Sequence, residues 1–351
     1  MQILIESQQD KNYYKDERSQ AGTMKGILAD TIVVGIDEAG LGPILGPLVV
    51  SAATFSVPEG NSDKSLADMW QLLGESIASN KKHLAGRLLI CDSKKAYNPT
   101  IGTGHLEKTV LSCLKCLGKS AFTVAELVDS LGPECKVKIL ESPWFKNIAQ
   151  QKINFNADEI SISAGALERN LEKNGMALIG LKSFCLDAGY FNELIGKIRN
   201  KSSVVFQIVC RLINETINGT QHRNYHFKID RQGGRMRYAQ PLMTMFGGMD
   251  LKVLEENDNI SSYQLSTSYK MVKLDFAVGA DDIYLPTSLA SMTSKYLREQ
   301  LMAALNGYFL ERCSQLKPTA GYWTDGKRFL NDLKTIAPQI QYDPRQLIRC
   351  R

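Results

Sequence analysis

The sequence predicts an α/β domain organised around a mixed sheet, and three observations point there. Strand-like apolar runs precede helical patterns along most of the chain, the order that builds a sheet covered by helices. The first strong run, TIVVGID (31–37), is continuously apolar until it meets acids, as a strand buried on both faces must be. No internal repeat, low-complexity segment or linker divides the chain. At 351 residues, 44% hydrophobic and 23% charged, it has the composition of an ordinary globular protein.

The elements follow in order. Residues 1–28 are polar and mixed in charge, which predicts a flexible N-terminal arm before a domain spanning 29–351. The arm has neither the apolar centre of a secretion signal nor the acid-poor bias of a transit peptide, so a cytoplasmic location is expected. GPLVVSAATF (46–55) is β-rich and reads as an antiparallel neighbour of the first strand. RLLIC (87–91) is a further β segment and runs into Asp92-Ser93-Lys94-Lys95. A helix across 105–117 and a strand at CKVKILES (135–142) come next.

Ile160, Ala164, Leu167 and Leu171 recur at helical spacing, and Asn174-Gly175 supplies the stop. A second helix spans 203–218, with Ser202 or Ser203 as its cap and Gly219 at its end. HFKID (226–230) is a strand. LKVLEE (251–256) and SSYQLST (261–267) form a hairpin about the NDNI turn, followed by KLDFAVGA (273–280) and a helix over 287–305. No apolar run has the length of a membrane span.

The net charge of +5 suits an anionic partner without singling one out. Among eight cysteines the only C-x-x-C is Cys113 and Cys116, within the 105–117 helix. With no second pair or nearby histidine to complete a zinc site, these read as reduced packing cysteines.

Chemistry concentrates in GIDEAGLGPILGPLVVSA (35–52). Asp37 and Glu38 stand where an apolar strand meets a Gly-rich turn. Adjacent carboxylates repel unless a cation neutralises them, and hard divalent ions prefer carboxylate oxygen. Glycines at 40, 42 and 46 allow close backbone approach, so N–H groups there can hold a phosphate or sugar edge.

These residues resemble the G-[IV]-D-E-[AV]-G-R-G-P-L-x-G-P motif of ribonuclease HII, a branch of the ribonuclease H superfamily. Asp92-Ser93-Lys94-Lys95 matches that family's D-S-K-K. The helix and strand ending at Asp230 match its third catalytic strand. LPTSLASMTSKYLRE (285–299) resembles its serine-rich helix, and GYWTDGKRFL (321–330) its terminal G-Y-x-[ST] element.

The resemblance covers about residues 31–335. It implies a ribonuclease H-like mixed five-stranded sheet flanked by helices, here with an inserted β-hairpin (about 250–280), an extra helix (about 175–202) and a C-terminal helical segment. It also implies two divalent ions, Mg2+ or Mn2+, held by four carboxylates, and an RNA–DNA hybrid or ribonucleotide-containing duplex as partner and substrate. Asp37 would bridge both ions and Glu38 bind one.

The other two acids are open. Asp187 and Asp230 compete for the third place; Asp230 is preferred because it ends a cleaner strand and sits beside Arg231, Arg235 and Arg237. For the fourth, anchoring on Pro286 selects Asp282 and anchoring on the serine-rich helix start selects Asp281; Asp282 is preferred. Substrate contacts are expected from Gly40, Leu41, Gly42 and Lys94, from Tyr284 beneath a ribose, and from Arg235 through its fork of donors. Leu41 replaces the arginine of the family's G-R-G, and a leucine cannot donate to phosphate or hydroxyl. That leaves room for a related nuclease with another structured nucleic acid as substrate, or for a non-catalytic nucleic-acid-binding descendant.

Overall fold

The computed structural model describes residues 31–58, 69–97, 102–220 and 222–350. The predicted arm at 1–28 lies outside the described residues. The main sheet has seven strands rather than the expected five. They are β1 (Thr31–Ala39), β2 (Leu48–Val57), β5 (Ala177–Leu186), β6 (Asn224–Asp230), β7 (Asp250–Glu256), β8 (Ile260–Ser266) and β9 (Met271–Ala277). A separate two-stranded pairing joins β3 (Ile77–Ala78) to β4 (Leu88–Leu89). The spatial order is β5-β2-β1-β6-β9-β8-β7. β1 pairs antiparallel with β2 and parallel with β6, and β6 pairs parallel with β9. Three adjacent parallel strands therefore end together, and their carboxyl ends form one rim.

Two segments depart from the sequence reading. CKVKILES is not a strand; it lies in a helix, Pro133–Glu141, with proline in its first turn. Cys135 and Ile139 are buried one helical turn apart while Val137 is 73% exposed, so an apparent alternation is the trace of one helix face. Residues 175–202 hold more than an extra helix. They include β5, whose antiparallel pairing with β2 makes it an edge of the sheet, and then the helix Ala188–Ile198. The 250–280 hairpin extends the opposite edge through β8 and β7.

The helix Lys201–Gly219 takes its cap from Asn200, whose side chain accepts from Ser203 N, rather than from either serine. A longer helix, Leu285–Arg312, lies across the centre of the sheet, and every residue from Leu285 to Ser294 is buried. Its approach depends on Gly35: a Cβ there would lie 2.0 Å from the Pro286 carbonyl carbon. Buried hydroxyls on this helix bond to the sheet and its neighbours. Thr287 donates to Lys228 O at 2.9 Å, and Ser294 to Asp37 O at 3.0 Å and Ser51 Oγ at 2.8 Å. Ser51 in turn bonds Ser183 on β5 at 2.7 Å. Each hydroxyl is satisfied, which is what permits so polar a seam in a core. Among the described residues no helix is long and apolar enough to cross a membrane.

Candidate active site at the carboxyl ends of the parallel strands

Asp37 and Glu38 end β1, Asp230 ends β6, and Asp281 lies in the short helix Ala280–Ile283 after β9. Open sheets place ligands outside the carboxyl ends of parallel strands, and here the acids come from all three. Asp37 is buried; its Oδ1 accepts from Glu38 N at 2.7 Å. Asp230 Oδ1 accepts from Ala280 N at 2.9 Å, which ties β6 to the turn that carries Asp281. Ser288 Oγ donates to Asp281 O and fixes that turn to the long helix.

The electrostatics show that the four carboxylates share one locality. Burial, Glu38, Asp230 and Asp281 all push Asp37 well above the usual carboxylate range, against a hydrogen bond from Ser291. Burial and Asp230 raise Glu38 to about 8, and Lys94 opposes them. Asp281 rises to about 7 through burial, Asp230 and Asp92, with Lys94 again opposing. Burial also raises Asp230, against the Ala280 N–H and Lys94. Lys94 is the cation that faces this group: burial works to lower it, but Asp92, Asp281, Asp37 and Asp230 together hold it raised.

Four hard oxygen donor groups held together under mutual repulsion fit a divalent cation. Among the described residues, no three of these side chains close on a common point as a finished ligand set.

Asp282, the sequence-preferred fourth acid, points the other way. Its half-exposed carboxylate pairs with Lys95, while Asp281 turns inward. The short helix explains the choice, because successive residues there point about 100° apart and only one can face the rim. Asp187 is not part of the group. It lies beyond β2, caps the Ala188–Ile198 helix by accepting from Tyr190 N at 2.8 Å, and also accepts from Ser142 Oγ.

Gly40, Leu41 and Gly42 form the turn after β1; Gly42 is exposed and Leu41 packs half-buried on the core. Lys94 is exposed at the start of the Ser93–Ala96 helix, which Asp92 caps by accepting from Lys94 N at 2.9 Å. Tyr284 lies under Lys228 Nζ, 4.5 Å from the ring centre, and Lys228 in turn bonds Asp275 at 2.7 Å. Arg235 packs over Phe206 and Tyr238 and donates to Ser202 and Ser203, so its guanidinium is already engaged. The sequence motifs include Asp92, Ser291 and Ser294 but assign none of them a place at the site. An acid directly before Ser-Lys-Lys is a helix-cap signal, and five hydroxyls within Thr287–Ser294 are unusual for a buried helix.

The fold and site together define a mixed α/β protein with an acidic centre at the carboxyl ends of its parallel strands. Comparison with known proteins shows what it is similar to. Over 145 residues it is 28% identical to ribonuclease HII of Methanocaldococcus jannaschii, covering 40% of this chain and 52% of that one. It is also 28% identical over 134 residues to ribonuclease HII of Syntrophus aciditrophicus, covering 38% and 57%. The chain is thus similar to ribonuclease HII over part of its length, and it spans only about half the length of these curated relatives. A ribonuclease HII solved in complex with PCNA from Archaeoglobus fulgidus superposes over 91% of this chain and 94% of its own, at 14% identity and a TM-score of 0.43. No family model matches the sequence.

Proposed function

We propose that this protein is a metal-dependent endonuclease of ribonuclease HII type that hydrolyses the RNA strand of RNA–DNA hybrids, leaving 5′-phosphate and 3′-hydroxyl ends. The observation that carries the reading is the convergence of Asp37, Glu38, Asp230 and Asp281 at the carboxyl ends of β1, β6 and β9. These four residues would hold two divalent ions, Mg2+ or Mn2+, which supply Lewis acidity to the scissile phosphate and activate the attacking water.

The chain's own groups do the rest. Asp37 is kept in place by its bonds to Glu38 N and, through its backbone, to Ser294. Lys94 is electrostatically coupled to Asp281, Asp37 and Asp230 and would balance charge there when a phosphate enters. Backbone N–H groups at Gly40 to Gly42 would face the 2′-hydroxyl that separates RNA from DNA. Tyr284, with Lys228 Nζ 4.5 Å from its ring centre, would pack against the ribose. A cytoplasmic location belongs to the same proposal.

Leu41 favours a second reading, in which the chemistry is the same and the substrate is another structured nucleic acid. A labelled panel separates the two: RNA–DNA hybrid, single-ribonucleotide duplex, RNA duplex and branched DNA, each with Mg2+ or Mn2+. The hybrid should be cut best, and Asp37→Asn should abolish the cutting. Cleavage by Asp37→Asn at the parent's rate would refute the mechanism.

A further inference from the structure

Beneath the Gly40–Pro47 loop lie two buried arginines that the site does not use directly. Arg298, on the Leu285–Arg312 helix, is 1% exposed, and Arg349, near the end of the described chain, is 3% exposed. Arg298 packs so closely under Gly40 that a Cβ there would sit 2.5 Å from its Nε, and Gly40 adopts φ +93. Arg349 grips the next part of the loop twice: its N donates to Ile44 O at 2.8 Å and its Nη2 to Pro43 O. Leu45 and Ile348 form an antiparallel bridge alongside. From the other side, Ile44 N and Leu45 N both donate to Gly321 O, at 2.8 and 3.2 Å.

The gripping segment is itself anchored. Asn192 donates to Arg345 O at 2.8 Å and Ile348 O at 2.7 Å, and accepts from Cys350 N at 2.7 Å. Among the described residues Arg349 makes no ion pair, and its Nε and Nη1 have no hydrogen-bond partner; neither has Arg298 Nε. Burial and the nearby Arg298 charge lower the Arg349 pKa to about 9. A buried cation without a counter-ion costs stability, and an apolar residue of similar volume would serve packing better. Its presence there therefore calls for a role other than stability.

We propose that Arg349, supported by Arg298, is a positioning residue for the Gly40–Pro47 loop, holding the loop's backbone in the pose that takes a substrate phosphate and placing positive charge behind it. This rests on the nuclease reading. It also answers the loss at residue 41: the cation that Leu41 cannot present is supplied from underneath, by a segment distant in sequence. Charge behind a loop of backbone donors strengthens anion binding there without touching the anion.

Two measurements on the full chain test it. Amide hydrogen exchange reads the loop whatever the protein cuts: Arg349→Met should speed exchange across residues 40–47 by at least about tenfold, with global unfolding unchanged or slightly later. On labelled hybrid, Arg349→Met should raise KM on the order of tenfold with kcat within about twofold, and Arg349→Lys should recover part of that, because an ammonium can still reach Pro43 O. Unchanged exchange in Arg349→Met overturns the proposal, as does a fall confined to kcat or a lysine variant no better than methionine. If the parent itself leaves hybrid uncut, the nuclease reading fails and the exchange result alone decides whether Arg349 holds the loop.

Discussion

Replacing Glu38 with glutamine should make the metal-free protein more stable at alkaline pH and leave it nearly unchanged at acid pH. In the folded chain Glu38 holds its proton to about 8, against 4.5 for the free side chain. Between those values the folded state binds a proton that the unfolded state has released, so stability falls as pH rises through the interval. Below it both states are protonated; above it the penalty is complete. The gap corresponds to an upper limit of about 5 kcal/mol at 1.36 kcal/mol per unit. Partial solvent access, and sharing of protons among four carboxylates, reduce this to about 2–3 kcal/mol. In a chain of this size that is a rise in Tm of roughly 3–4 °C for Glu38→Gln. Thermal unfolding with a chelator at about pH 5 and about pH 8.5 measures it. Adding Mg2+ at the higher pH should stabilise the parent more than the variant. Equal unfolding temperatures for the two proteins at about pH 8.5 would refute the claim that these carboxylates crowd one another.

Three further outcomes are expected. Asp281→Asn should lower kcat/KM on the hybrid by about a thousandfold or more, whereas Asp282→Asn, which loses only an exposed pair with Lys95, should change it by less than about fivefold; steady-state kinetics of the two variants decide between them. Gly35→Ala should destabilise the fold by about 3 kcal/mol or more in urea unfolding, since the new methyl meets the backbone at Pro286 and Thr287 rather than a side chain that can move. Leu41→Arg should improve cleavage of a single-ribonucleotide duplex by about tenfold and steepen the salt dependence of binding by about one ion, as seen in a salt titration.

Much of this architecture was legible because particular residues permit little else. An unbroken apolar run ending in Asp37-Glu38 is consistent with a buried central strand, and the spacing of Ile160 to Leu171 predicts a helix face; the structure has both. Asp230 was separable from Asp187 by strand quality, and the structure places Asp230 with Asp37 and Glu38 while Asp187 serves as a helix cap. Three things were not legible. Cys135, Val137 and Ile139 alternate as a strand would, and only burial shows one helix turn. ALIGLKSFCL became a strand because the β2 edge was open to pair with it, which no local pattern states. Choosing between Asp281 and Asp282 turned on the phase of a four-residue helix, finer than any periodicity resolves.

The parallel registry of β1 with β6 has a consequence for how such a chain comes into being. Synthesis delivers Asp37 and Glu38 early, and the ribosome must still add β6 and β9 before either acid has its companions. Parallel pairing across so long a stretch must meet its loop-closure entropy before any contact rewards it, so the rim assembles late. A nascent or clipped chain ending before β6 therefore carries only Asp37 and Glu38 of the four rim carboxylates, and the complete acidic rim forms only when β6 and β9 dock.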